Sequence, residues 1–123
     1  MFRIKICGIT NLDDARSATD AGADAIGFVL YAKSARHVTL ERSVQLAQAL
    51  PPFVTPVLLF VNASLQDVEA ACAALPRALL QFHGDESRAD CEAPGRAYLR
   101  AVRMAPGVDL LDCARSFPSA AAL

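Results

Sequence analysis

Cys7 and a basic loop at residues 32–37 contain the residue types in this sequence that are best suited to chemistry. Cys7 stands directly before Gly8, at the end of an isoleucine-rich apolar run. A thiol has an ordinary pKa of about 8.5, so it acts as a base or nucleophile at neutral pH only where nearby positive charge favours the thiolate. Otherwise a cysteine at this position is a small buried hydrophobic residue, and the residues alone favour that second interpretation.

The basic loop brings Lys33, Arg36 and His37 close together in the chain. A planar guanidinium can hold a carboxylate through two parallel hydrogen bonds, so the loop is typical of an anion-binding site. A solvated basic loop explains the same residues equally well. His83, which precedes Gly84, also has two interpretations: a polar wall of a ligand site, or a histidine whose hydrogen bonds are satisfied under a loop.

The remaining cysteines, Cys72, Cys91 and Cys113, are widely spaced and form no C-x-x-C pair. This spacing predicts free thiols and indicates neither a zinc site nor a redox pair. Asp85 and Glu86, next to His83, do not complete a metal-binding motif. We therefore expect no metal.

Short apolar runs alternate with amphipathic stretches along the chain, and this alternation must position the candidate residues. Strands are predicted at residues 3–8, 23–31, 55–62, 79–83 and 97–104, and a sixth begins at 120. Helices are predicted at residues 11–21, after Thr39, after Ser64, up to about residue 93, and at 108–116. Nearly continuous apolar strands separated by helices predict an α/β fold of βα units with a parallel sheet.

The ligand sites of parallel α/β folds lie beyond the carboxyl ends of the strands. We therefore expect Cys7, the basic loop and His83 to meet there, with Asn62 and Arg103 as weaker candidates. Strand alternation places Lys5 on the same side as Cys7.

Composition limits the classes of protein to which the chain can belong. It has 123 residues, 54% hydrophobic and 20% charged, with a net charge of -1. This size predicts one domain, residues 1–123, and the near-neutral charge argues against a general nucleic-acid binder. No apolar run approaches the roughly 18 residues of a membrane span, and the first residues do not resemble a signal peptide. We therefore expect a cytoplasmic protein.

Four strings together resemble the phosphoribosylanthranilate isomerase family of tryptophan biosynthesis. They are RIKICGIT at residues 3–10, GADAIGF at 22–28 with KSAR at 33–36, VLLFVN at 57–62, and LQFHGD at 80–85. The resemblance implies a TIM (β/α)8 barrel. It also implies an Amadori rearrangement of N-(5-phosphoribosyl)anthranilate to 1-(2-carboxyphenylamino)-1-deoxyribulose 5-phosphate, without metal or organic cofactor. Carried over by motif, Cys7 is the general base, Arg36 contacts the anthranilate carboxylate, and His83 is a wall residue that binds the phosphosugar substrate.

Length is the main departure from that family. A barrel of this type needs at least about 200 residues, whereas about five βα units and the start of strand six are present. The resemblance places the general acid, an aspartate, just beyond Leu123, and the phosphate loops after strands seven and eight. We therefore expect an incomplete barrel, the amino-terminal part only, that is inactive or nearly so alone.

A non-catalytic α/β module of flavodoxin-like or half-barrel type is the alternative interpretation. Five βα units also make a flavodoxin-like sheet. Five strands from a closed barrel would leave two unpaired edges and an uncovered apolar interior. We therefore expect self-association of the chain in either case.

Overall fold

A computed structural model of the protein describes residues 2–123, which form five successive βα units. The strands are β1 (Lys5–Cys7), β2 (Ala25–Val29), β3 (Thr55–Phe60), β4 (Leu79–Phe82) and β5 (Tyr98–Arg100). The helices are α1 (Leu12–Asp20), α2 (Leu40–Gln48), α3 (Leu65–Ala74), α4 (Arg88–Glu92) and α5 (Leu110–Ser116). None of these helices is long and apolar enough to cross a membrane.

The five strands form one parallel sheet in which sequence order is also spatial order, β1-β2-β3-β4-β5. A flavodoxin-like sheet has the order 2-1-3-4-5, so the doubly wound alternative is wrong. Consecutive parallel strands that each lead into a helix are the arrangement of a (β/α)8 barrel, here as an open sheet. The predicted sixth strand is present as a single parallel bridge between Leu99 and Ala122.

Polar side chains begin the helices where the sequence predicts caps. The side chains of Asn11, Thr39 and Ser64 each accept a hydrogen bond from the backbone N–H three residues later. Each therefore satisfies one of the N–H groups that a helix leaves free at its start. A complete capping box is found at Ser87, whose side chain pairs reciprocally with Asp90. β5 is shorter than predicted, because the chain leaves the sheet after Arg100.

The sheet has two different faces. Under the helices, alternate residues form the buried core, which includes Phe28, Leu58, Leu80 and Tyr98. On the other face the strand register brings together a row that runs from Cys7 through Gly27 and Val57 to Leu79. This second face corresponds to a barrel interior, and it carries the candidate base.

Candidate functional site

Cys7 lies half-buried at the carboxyl end of β1, on the inner face of the sheet. It lines a cavity of about 480 Å³. The polar and charged residues around that cavity include Lys5, Cys7, Arg36, Gln81, His83 and Arg103. The structure therefore brings the three site residues expected from the sequence to one opening at the strand ends.

Arg36 reaches the site because the loop after β2 folds back onto β1. Its Nη1 donates a hydrogen bond to the backbone oxygen of Cys7 at 2.9 Å, and its backbone N–H donates to Ser34 Oγ at 3.1 Å. Gly8 has a φ of +81°, and a Cβ there would come within 2.6 Å of Arg36 Cδ and Cζ. Gly8 therefore permits both the turn after Cys7 and the close approach of the arginine.

Gly27 makes room for two other side chains. It pairs with Cys7 across the β1–β2 ladder. A Cβ at Gly27 would lie 3.0 Å from Cys7 Sγ, 3.0 Å from Lys5 Nζ and 3.2 Å from Cys7 Cα. Two atoms that are each 3.0 Å from one point are at most about 6 Å apart. The thiol and the Lys5 ammonium therefore share the space above a residue without a side chain.

His83 follows β4 and is exposed at the edge of the same cavity. Its backbone N–H donates to Phe60 O at 2.9 Å, and its ring Nδ1 lies 3.2 Å from Gln81 Nε2. When the Gln81 amide donates to Nδ1, the other ring nitrogen carries the proton. The Nε2 atom of His83 can then donate a hydrogen bond to a ligand but cannot accept one.

Positive charge dominates this cavity. Lys5, Arg36 and Arg103 line it, and no aspartate or glutamate does. Only one of the five N–H donors of the Arg36 guanidinium is used by the bond to Cys7. Such a lining attracts an anionic ligand, because low-dielectric walls focus the field of like charges.

Three of the other candidate residues, Lys33, His37 and Asn62, lie outside this cavity. Lys33 is exposed and does not line it, and His37 faces a separate cavity of about 220 Å³. Asn62 has a φ of +52°, and its side-chain oxygen accepts from the backbone N–H of Asp85 at 2.8 Å. Asn62 therefore shapes the turn after β3, while Arg103 does line the site.

A buried ion pair that the sequence analysis missed holds three strand ends together. Glu86 Oε2 lies 3.2 Å from Arg100 Nη1, and the two side chains are 5% and 10% exposed. The Glu86 carboxylate also accepts from the backbone N–H groups of Asn62 and Gly84 at 2.7 and 2.8 Å. Arg100 donates to the backbone oxygens of Phe82 and Gly84 at 2.9 and 2.8 Å. The pair therefore fixes the backbone on both sides of His83.

The other cysteines lie away from the cavity. Cys91 is fully buried in the core, and burial raises the pKa of its thiol to about 11. Burial also raises the pKa of Cys72, which packs against the core. A raised pKa keeps both thiols protonated and unreactive at neutral pH. In the described part of the chain, no group of three His, Cys, Asp or Glu side chains is close enough to hold a metal ion.

Comparisons with known proteins identify the family of the chain. The model of the N-(5'-phosphoribosyl)anthranilate isomerase family matches residues 4–120. An N-(5'-phosphoribosyl)anthranilate isomerase of Leptothrix cholodnii is 63% identical over 121 residues, which are 98% of this chain and 55% of that protein.

Solved structures show the same fold. One is a phosphoribosyl anthranilate isomerase in complex with reduced 1-(o-carboxyphenylamino)-1-deoxyribulose 5-phosphate; it is 37% identical, with a TM-score of 0.82 over 94% of this chain and 59% of that one. Another contains monomers generated from the dimeric isomerase of Thermotoga maritima; it is 31% identical, with a TM-score of 0.88 over 99% of this chain and 63% of that one.

The chain spans somewhat more than half the length of the curated relatives it matches. The comparisons do not bear out the expectation that it is only an amino-terminal part, or that it is inactive alone. They also do not favour a non-catalytic module. The family model covers nearly the whole chain, and the two solved structures superpose on 94% and 99% of it. The chain therefore belongs to the N-(5'-phosphoribosyl)anthranilate isomerase family.

Proposed function

We propose that this chain acts in tryptophan biosynthesis on N-(5-phosphoribosyl)anthranilate, with Cys7 as the general base and Arg36 as the contact for the anthranilate carboxylate. The observation that carries this proposal is the hydrogen bond from Arg36 Nη1 to the backbone oxygen of Cys7. It holds an anion-binding side chain beside the thiol, so a carboxylate on Arg36 would bring the attached sugar close to the sulfur.

The charge of the cavity supports this substrate class. The substrate carries a carboxylate and a phosphate, whereas the cavity contains Lys5, Arg36 and Arg103 and no carboxylate. A related isomerase was solved with a reduced carboxyphenylamino deoxyribulose phosphate, an anionic phosphosugar of the same class. In the tautomer in which Nδ1 accepts from Gln81, Nε2 of His83 would donate a hydrogen bond to a sugar oxygen at the wall of the site.

The proposed chemistry is an internal redox exchange between two carbons of the sugar. An acid protonates the ring oxygen and the ring opens to an iminium at the first carbon. The Cys7 thiolate then removes the proton from the second carbon, and the electron pair left there forms the enamine. The enamine tautomerises to the ketone, so nothing is oxidised or reduced overall and no cofactor is consumed. We assign the acid to none of the described residues.

Ligand binding tests the assignment of Arg36. We expect Arg36→Met to weaken binding of reduced 1-(o-carboxyphenylamino)-1-deoxyribulose 5-phosphate by about 10- to 100-fold, because charge-assisted hydrogen bonds to a carboxylate contribute about 1.5–3 kcal/mol. Isothermal titration calorimetry on the 123-residue chain measures the dissociation constant. Lys33→Met is the matched control, since it removes an exposed cation of the same loop that does not line the cavity.

Equal losses of ligand affinity in the Arg36 and Lys33 variants would show a general effect of the charge of the loop. They would contradict the assignment of Arg36 as the contact for the carboxylate. No binding by the unsubstituted chain would contradict the proposed substrate class.

The cytoplasm remains the predicted location of the protein.

We also propose that two copies of the chain associate through the amino-end half of the open inner face, which leaves the Cys7 cavity at the carboxyl ends open to substrate. The chain exposes 7345 Å², whereas a compact monomer of 13.1 kDa exposes about 6,400 Å². The excess is close to the roughly 800 Å² that each partner buries in an interface of standard size. At the amino ends of the strands this face has a cavity of about 430 Å³, with Ile4 and Phe53 exposed at its rim. The dimeric isomerase of Thermotoga maritima supports association within the family.

Analytical ultracentrifugation tests the association. We expect the chain to be a dimer at micromolar concentration and Phe53→Asp to shift it towards the monomer, because the substitution places a charge in the apolar contact. Leu111→Asp is the control, since Leu111 is exposed on α5, away from the inner face. A monomer at every concentration, or equal shifts in the two variants, would contradict the proposal.

A further inference from the structure

We propose that Lys5 is a positioning residue whose ammonium stabilises negative charge on the Cys7 sulfur, and that Gly27 is required for this pairing. The inference rests on the proposed function, since it concerns the residue to which that function assigns the role of base. What carries it is the geometry above Gly27, where the ammonium and the sulfur are each 3.0 Å from the position of a missing Cβ.

The Lys5 ammonium has no competing partner in residues 2–123. It forms none of the salt bridges in this part of the chain, and it is half-buried on the inner face. The Lys5 charge therefore has no carboxylate counter-charge in this part of the chain. The developing negative charge of the Cys7 thiolate, within about 6 Å, supplies the missing counter-charge.

Arg36 does not perform this role in the structure. Its hydrogen bond goes to the backbone oxygen of Cys7, and its other donors remain free for a ligand. The two cations therefore have different roles. Arg36 holds an anion of the substrate, and Lys5 faces the sulfur. When the thiolate takes a proton from carbon it becomes a neutral thiol, and the step transfers no proton to or from Lys5.

Two alkylating reagents test the pairing without substrate or turnover. Iodoacetate is an anion and iodoacetamide is neutral, and both react with a thiolate to form a carbon–sulfur bond and release iodide. We expect Lys5→Met to slow the reaction of iodoacetate with Cys7 about tenfold, and to slow the reaction of iodoacetamide with Cys7 by a smaller factor. Loss of the cation leaves negative charge on the attacking sulfur less stabilised for both reagents, but it removes attraction only for the anion. Mass spectrometry of the peptides gives the rate at each cysteine.

Three comparisons make the result specific. Lys5→Arg is expected to retain most of the iodoacetate rate, because it keeps the charge. Lys33→Met, which removes an exposed cation, is expected to change neither rate. Gly27→Ala keeps both residues, but its Cβ must displace the thiol and the ammonium, and it is expected to lower the ratio of the two rates.

The inference is overturned if Lys5→Met leaves the rates at Cys7 unchanged, or if it alters the rates at Cys113 by the same factor, which would indicate general loosening of the fold. That result would leave the proposed reaction standing, because another cation could serve the thiol. Conversely, if Cys7 is dispensable for conversion, the proposed function is wrong. The measured pairing of Cys7 with Lys5 would still stand.

Discussion

Replacing Cys7 with alanine is expected to reduce conversion of N-(5-phosphoribosyl)anthranilate to its ketose isomer by roughly 10²- to 10⁴-fold, the typical contribution of a positioned general base. The sulfur lies in the cavity that contains Arg36, and alanine has no group that can take a proton. The measurement is the initial rate of ketose formation by the 123-residue chain, after subtraction of the uncatalysed rate.

Ligand binding distinguishes the loss of a catalytic base from damage to the folded site. Cys7→Ala should bind the reduced ketose analogue with nearly unchanged affinity, because the thiol takes no part in holding the carboxylate. Cys113→Ala is the matched control; its thiol is half-buried on α5 and does not line this cavity. If the Cys7 and Cys113 variants convert substrate equally well, Cys7 is not the base.

Replacing Arg100 with methionine is expected to destabilise the folded chain by about 3–5 kcal/mol, as is usual when one partner of a buried ion pair is removed. Glu86 would keep its bonds from the backbone N–H groups of Asn62 and Gly84 but lose its buried counter-charge. The backbone oxygens of Phe82 and Gly84 would also lose a donor. Urea unfolding gives the change in the free energy of unfolding.

Arg88→Met provides the comparison, because Arg88 and Glu92 form an exposed ion pair on α4 at 2.7 Å. Exposed pairs contribute little to stability, so we expect a much smaller loss for this variant. Arg100→Lys should give an intermediate loss, since it keeps the charge but not the planar fork that reaches two carbonyls. Equal losses of unfolding free energy for the Arg100→Met and Arg88→Met variants would mean that burial of the ion pair does not increase its contribution to stability.

Patterns within short stretches predicted most of the elements. Apolar runs separated by capped amphipathic segments predicted five βα units, and Asn11, Thr39, Ser64 and Ser87 begin helices in the structure. Strand alternation predicted that Lys5 and Cys7 share a side. Element ends were less accurate: β5 ends at Arg100, although apolar residues continue beyond it. Periodicity does not detect where a strand loses its neighbour.

The contacts that make the site depend on pairs far apart in the chain. Arg36 binds the backbone oxygen of a residue 29 positions earlier, and Glu86 meets Arg100 from a different strand end. Nothing in the local pattern marks Glu86 for burial, because charged residues are mostly exposed unless a partner is present. The partner is supplied only when β4 and β5 pair in their observed register.

The sequence by itself determined the βα repeat, the helix starts, the family resemblance and the residue types available for chemistry, because these follow from local periodicity and short motifs. Tertiary structure decided which of those residues meet. Register placed Gly27 opposite Cys7 and so left the space that the Lys5 ammonium occupies. The strand order is that of a (β/α)8 barrel rather than of a doubly wound sheet. Distances between side chains depend on how strands align, and that alignment depends on packing across the whole sheet.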